Sequence, residues 1–172
     1  MRLFVAIVPP PPAVAHLATA VADLADSGLR WQPPERWHLT LAFLGDVTPA
    51  PINAALDSAL AGVQGVGEGQ LAGSGTFRAG RGGVLWVGVA GVGLAAFAGR
   101  VRAALPTEQG TFRLHVTLAR WRGDPRVALS VAEALRQYAG PQWPVLSIEL
   151  IRSHLGPAPR YETVDSWPLG RR

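Results

Sequence analysis

The chain of 172 residues has no cysteine, no lysine and a single methionine. Without cysteine there can be no disulfide framework, no thiolate nucleophile and no thiolate-bound metal. Long apolar runs are missing too. A bilayer crossing needs about 20 consecutive apolar residues, whereas Leu3 to Val8 stops at once in the four prolines Pro9 to Pro12. The same shortness argues against a signal peptide. A cytoplasmic location with no membrane association is therefore expected, and a monomer. Because lysine is absent, all sixteen cationic side chains are arginine; against twelve acids they leave a formal charge of +4. Such an excess suits an anionic partner, and the planar arginine fork suits phosphate. The same Arg, Ala, Gly and Pro enrichment would also follow from GC-rich coding, so the charge supports a phosphate-bearing ligand without requiring one.

What is present is 48% hydrophobic residues with no low-complexity break, ample for a core in a single domain, 1–172, of two lobes. Leu3 to Val8 reads as a buried strand. A helix follows on the stripe Val14, Leu17, Ala18, Val21, Leu24 and Ala25, ended by Gly28, with His16 off the stripe. Residues 30–36 form a Pro-rigid approach to a strand over Trp37 to Gly45. Thr48 and Pro49 open a second helix with Ile52, Ala55, Leu56, Ala59 and Leu60 inward. Gln70 to Phe77 and Val84 to Val89 read as strands, joined by the basic loop Arg78 to Gly83, which is either a phosphate-facing lid or a hairpin connection. A helix marked by Leu94, Phe97, Ala98, Val101 and Leu105 leads to a strand over Phe112 to Arg120. Asp124-Pro125 opens a helix through Val131, Leu135 and Tyr138. Val145 to Ile151 and Tyr161 to Trp167 are the last strands.

Two stretches repeat one pattern. Trp37-His38-Leu39-Thr40-Leu41-Ala42-Phe43 and Leu114-His115-Val116-Thr117-Leu118-Ala119-Arg120 each carry His, an aliphatic residue, Thr, Leu and Ala in order. Strand alternation puts His38 and Thr40 on one face and Leu39, Leu41 and Phe43 on the core face. In the second copy Arg113, His115 and Thr117 share a face, and Arg120 falls on the opposite one unless the strand bulges near Ala119. A lone His-x-Thr is a weak signal, but two of only four histidines meet it in corresponding settings, each with a helix before and after. The chain thus reads as an internal duplication whose two His-Thr fronts face each other across a groove.

Two imidazoles with ordinary pKa near 6.5 can serve as base and acid at neutral pH, and two hydroxyls can hydrogen-bond an oxyanion. That set fits in-line attack at phosphorus. A zinc site would want a third ligand at recognisable spacing, and a Ser-His-Asp hydrolase a Gly-x-Ser-x-Gly elbow; the sequence has neither.

The paired tetrapeptides His38-Leu39-Thr40-Leu41 and His115-Val116-Thr117-Leu118 resemble the signatures of the 2H phosphoesterase superfamily. The wider frame resembles its RNA 2′,3′-cyclic phosphodiesterase branch, historically called 2′-5′ RNA ligase. That frame comprises Met1 to Ile7, Trp31 to Gly45, Val84 to Gly88, Phe112 to Arg120, Ser153 to Leu155 and Trp167 to Leu169. The resemblance implies an α+β fold of two duplicated lobes, with antiparallel sheets lining a central groove and helices outside. It implies hydrolysis of RNA ends or nucleotides bearing a 2′,3′-cyclic phosphate to 2′-phosphomonoesters, without metal or cofactor, with His38 as proton donor and His115 as proton acceptor. Leu114 departs from the proline usual before the second His, and Gly82-Gly83 replaces a bulkier basic stretch. Arg120, where the family often has arginine, and Arg113 are candidate phosphate contacts. Trp31, Phe43 and Tyr161 are candidates for stacking on a base. His154 before a Gly-Pro turn reads as structural or rim. Ligation to a 5′-hydroxyl at the same site and non-catalytic RNA-end binding stay open as alternatives.

Overall fold

The computed structural model describes residues 2–108, 112–154, 156 and 159–170. In chain order its elements are β1 (Arg2–Ile7), α1 (Pro11–Val21), β2 (Arg30–Trp31), β3 (Leu39–Gly45), α2 (Pro49–Leu60), β4 (Glu68–Ala79), β5 (Gly82–Ala90), α3 (Leu94–Ala103), β6 (His115–Arg122), α4 (Arg126–Ala134), β7 (Ala139–Pro144), β8 (Ser147–His154) and β9 (Arg160–Pro168). The fold is α+β, and every strand pairing among the described residues is antiparallel.

The strands run β7-β4-β5-β6-β3-β1-β8-β9, with β2 paired to β6. Expected as separate sheets, they form one. Two four-stranded halves meet at β3 and β6, where among the described residues a single register pair, Leu39↔Val116, joins them. Both side chains there are essentially buried, so the halves share one core as well as one hydrogen-bond ladder. That core takes Leu17 from α1, Leu56 from α2, Val101 from α3 and Val131 from α4. On β1, Leu3, Val5 and Ile7 point into it, whereas Phe4 and Ala6 pack with Ile151 on the other face. Burial on both faces explains why β1 is an unbroken apolar run rather than an alternating one.

Several expectations shift in detail. The first helix tightens into a 3₁₀ turn over 22–27 before Gly28, at φ +81, ends it. Thr48 occupies the N-cap position of α2, but its hydroxyl makes no capping bond. Asp124 accepts the Arg126 backbone N–H at 2.9 Å, but the N-cap of α4 is Pro125, so the helix starts one residue later than the Asp124-Pro125 pair implies. It ends at Ala134, leaving Tyr138 beyond it in a turn. The basic segment 78–83 is a hairpin connection, with Ala79↔Gly82 closing a two-residue turn at Gly80-Arg81. Two strands escaped the sequence reading. β7, with two prolines in six residues, is an edge strand, the position at which proline is tolerated. β2 is only two residues long.

Gly82 and Gly83 are steric requirements. A Cβ on Gly82 would run into the Trp121 backbone carbonyl, and one on Gly83 into the Phe77 carbonyl and the Trp121 indole. Gly99, inside α3, meets nothing within 4 Å. Gly82→Ala should therefore lower stability by about 1–3 kcal/mol through overpacking, while Gly99→Ala should raise it by roughly 0.5–1 kcal/mol. Urea denaturation midpoints of the two variants check both signs.

Candidate active site

One extra residue shortly after each motif histidine decides which side chains reach the groove. Along β1–β3 the register steps from Ala6↔Thr40 to Val5↔Ala42, so Leu41 is the additional residue. Along β5–β6 it steps from Trp86↔Thr117 to Leu85↔Ala119, so Leu118 is. Each bulge stands three residues after its histidine and reverses the alternation beyond it. Leu41 and Ala42 are consecutively buried, and so are Leu118 and Ala119. Phe43 and Arg120 are thereby turned onto the His-Thr face. The assignment of Phe43 to the core is overturned: it is 70% exposed and lines the cleft. For Arg120 the condition set by parity, a bulge near Ala119, is met.

His38, Thr40, His115 and Thr117 line one cleft of about 460 Å³, together with Phe43, Arg120 and Tyr161. Both imidazoles are held in the same way. Nδ1 of His38 lies 2.6 Å from the Arg36 carbonyl, and Nδ1 of His115 lies 2.7 Å from the Arg113 carbonyl. A carbonyl only accepts, so Nδ1 is the protonated nitrogen in each ring. Nε2, on the opposite edge, is left without a partner among the described residues. Aromatic rings wall both histidines. Phe4 and Tyr161 stand 4.7 and 5.2 Å from the His38 ring, and Phe77 stands edge-on 5.0 Å from His115. Burial pushes both imidazole pKa values below 6.5, against the carbonyl hydrogen bonds, which favour the charged ring. His115's charge lowers His38 further, and Arg113's lowers His115.

Arg113 does not join the cleft. It precedes β6, where strand alternation no longer applies, and its guanidinium lies 5.2 Å from the Trp86 ring. Leu114 packs partly buried against the core. Trp31 is half-buried against the same core and bonds Ser27. His154 Nε2 lies 2.6 Å from Glu162, away from the cleft; Leu155 and Pro157 of the turn after it lie outside the described residues. His16 bonds the Tyr138 hydroxyl on the exposed side of α1. Sequence reasoning missed Phe4, Gln32, Arg36 and Arg2, all of which line the cleft. The run 3–8 gave Phe4 no polar neighbour to flag it. Arg36 donates to the Pro159 carbonyl and lies 6.0 Å from the Tyr161 ring, tying the approach segment to β9.

The lining therefore holds two imidazoles, two threonine hydroxyls and the guanidinium groups of Arg2, Arg36 and Arg120, with no carboxylate. Among the described residues no three His, Asp or Glu side chains cluster as a metal site. Among the described residues no helix is long and apolar enough to cross a membrane.

Known proteins resemble the chain at three levels. A family model described as LigT like phosphoesterase matches residues 7–86. A curated relative from Geobacillus stearothermophilus, named RNA 2′,3′-cyclic phosphodiesterase, is 33% identical over 154 residues covering 81% of this chain and 47% of that protein. The chain thus spans about half the length of that relative. A crystal structure from Thermus thermophilus is 29% identical with TM-score 0.77, covering 99% of both chains. That of E. coli LigT complexed with 3′-AMP is 24% identical with TM-score 0.77, over 98% of this chain and 97% of that one, a likeness of fold. In its fold and its doubled His-x-Thr strands the chain is similar to the 2H phosphoesterases. Within that class its residues 7–86 match the LigT like phosphoesterase family.

The depressed histidines have a measurable consequence. Both should titrate below 6.5 by NMR, and Tyr161→Ala should move His38 upward by admitting water to its ring. Because the unfolded histidines take up protons first, their contribution to stability is complete above about 6.5 and is lost as pH falls from there through the folded values. Unfolding free energy followed from pH 7 to 5 should drop less in a His38→Gln/His115→Gln double variant than in wild type.

Proposed function

We propose that the chain hydrolyses 2′,3′-cyclic phosphates at RNA ends or on nucleotides, leaving 2′-phosphomonoesters. The observation that carries this reading is the matched pair of imidazoles, each fixed at Nδ1 and presenting Nε2 to one carboxylate-free, arginine-bearing cleft. The name of the Geobacillus relative supports the substrate class. His115 Nε2 takes a proton from water as its oxygen attacks phosphorus. The bond from phosphorus to O3′ breaks in line, and His38 Nε2 delivers a proton to that oxygen. Thr40 and Thr117 donate to the non-bridging oxygens, and Arg120 sets a positive charge beside them. Phe43 and Tyr161 offer faces for the terminal base. Burial favours neutral imidazoles in the empty cleft, so the anionic phosphodiester itself supports the imidazolium at His38. No metal or cofactor takes part.

We also read residues 1–172 as one domain made by duplication. Equal offsets support this: histidine, threonine two residues on, a bulge at the third and a cleft-facing residue at the fifth, in both motif strands.

Incubation with a nucleoside 2′,3′-cyclic phosphate in the presence of a chelator should yield the 2′-phosphate. Thr40→Ala and Thr117→Ala should each slow turnover on the order of 10²-fold, as for loss of one oxyanion donor, and Thr→Ser should cost far less. A 3′-phosphate product would reverse the assigned acid and base, and binding without product would make the protein an RNA-end binder.

The two histidines separate by leaving group. A ribose alkoxide needs the proton from His38, whereas an activated aryl diester releases a stable phenolate. His38→Ala should therefore nearly abolish cyclic-phosphate hydrolysis but retain much of the wild-type aryl-diester rate. His115→Ala should be slow on both, and the wild-type rate should be bell-shaped in pH. Steady-state rates for both variants on both substrates decide the assignment.

A further inference from the structure

Beyond the cleft, the groove face of β6 continues as arginine. After the bulge at Leu118, the row His115, Thr117 runs on through Arg120 and Arg122. At about 3.3 Å per residue, Arg122 stands roughly 13 Å past Thr117. β2 sets Arg30 directly opposite Arg120. Arg81 closes the row at the tip of the β4–β5 hairpin, where its carbonyl accepts the Gly123 N–H at 2.7 Å. Arg30, Arg81, Arg120 and Arg122 are all exposed and line a second cleft of about 570 Å³. Arg120 lines both clefts, so the two adjoin at that side chain.

No carboxylate lines this surface, and none of the four guanidinium groups has an ion-pair partner among the described residues. Arg126, Arg136 and Arg152, by contrast, each stand beside an Asp or Glu. Like charges directly opposite on paired strands repel, so Arg30 beside Arg120 costs stability unless a shared anion lies between them. The row is also too long for the single phosphate held between the histidines.

We infer that Arg30, Arg81, Arg120 and Arg122 dock the phosphodiester backbone of a single-stranded RNA whose end enters the cleft. The placement of that end rests on the function proposed above. The strand leads away from His115 along β6 toward the hairpin, and its successive phosphates replace the missing carboxylates. Arg30, Arg81 and Arg122 then act on affinity for a chain and not on the chemistry at its end, while Arg120 serves both the chain and the terminal phosphate.

The test uses Arg81→Gln/Arg122→Gln, which leaves every cleft residue in place, and Arg126→Gln/Arg136→Gln as a control of equal charge elsewhere. Two readouts are taken. One is the hydrolysis of a nucleoside 2′,3′-cyclic phosphate against that of a short oligoribonucleotide with the same terminus. The other is the anisotropy of a labelled single-stranded oligoribonucleotide titrated at several salt concentrations. In the first variant KM for the oligonucleotide should rise on the order of tenfold, and the slope of log K on log salt should shrink by about 1.4 for two lost phosphate contacts. Hydrolysis of the mononucleotide should not change, and the control should leave both readouts at wild type. An equal loss on mononucleotide and oligonucleotide, an unchanged salt slope, or the same loss in the control would overturn the inference. So would a loss that appears only in a parallel titration with anionic phospholipid vesicles and not with the oligonucleotide. If wild type turns over neither substrate, the proposed function fails while the anisotropy arm still decides the docking surface.

Discussion

The single backbone pair Leu39↔Val116 is the constraint on which the rest depends. Among the described residues it is the one register pair between the two halves of the sheet, and each member stands immediately after a motif histidine. Antiparallel register, extended one residue either way, sets His38 across from Thr117 and His115 across from Thr40. Leu39 and Val116 point into the core, so their neighbours point out of it. Apolar burial thus holds together a polar front to which it contributes no atom. Removing either side chain would loosen the seam and the reactive geometry together.

Around that seam the protein controls its two bases by a shared device. Each ring is anchored through a carbonyl two residues earlier, just ahead of its strand, and each is flanked by aromatic edges or faces. Anchoring settles the tautomer; burial makes the uncharged ring the resting form. Positive charge is supplied by arginine instead, which stays ionised whatever the surroundings. The division suits the hydrolysis proposed above, in which the site attracts an anion while one imidazole stays free to accept a proton.

Much of this was legible because strand periodicity is local. The alternation of His38, Leu39 and Thr40, and of His115, Val116 and Thr117, required only chain geometry to separate a polar front from an apolar back. The helix stripes headed by Leu17, Leu56, Val101 and Val131 were equally plain. What failed were inferences that carried alternation too far. Alternation alone puts Phe43, a stacking candidate, on the core face, because nothing in Leu41-Ala42 announces a bulge. Arg113 was placed on the cleft because alternation was extended past the start of β6. β7 stayed hidden because its prolines argue against a strand in any position but an edge.

The sequence by itself determined the doubled His-x-Thr pattern, the faces of the two motif strands up to their bulges, the α+β character and an all-arginine positive charge. These follow from residue type and short-range stereochemistry. Only the tertiary structure decided that the two halves join in one sheet, that Phe43 and Arg120 turn into the cleft, and that Phe4, Tyr161 and Phe77 surround the histidines. It alone placed Arg30, Arg81 and Arg122 in line with Arg120. The physical reason is that a bulge exists only relative to the partner strand it is paired against. A wall around a histidine likewise exists only once residues distant in the chain have packed together.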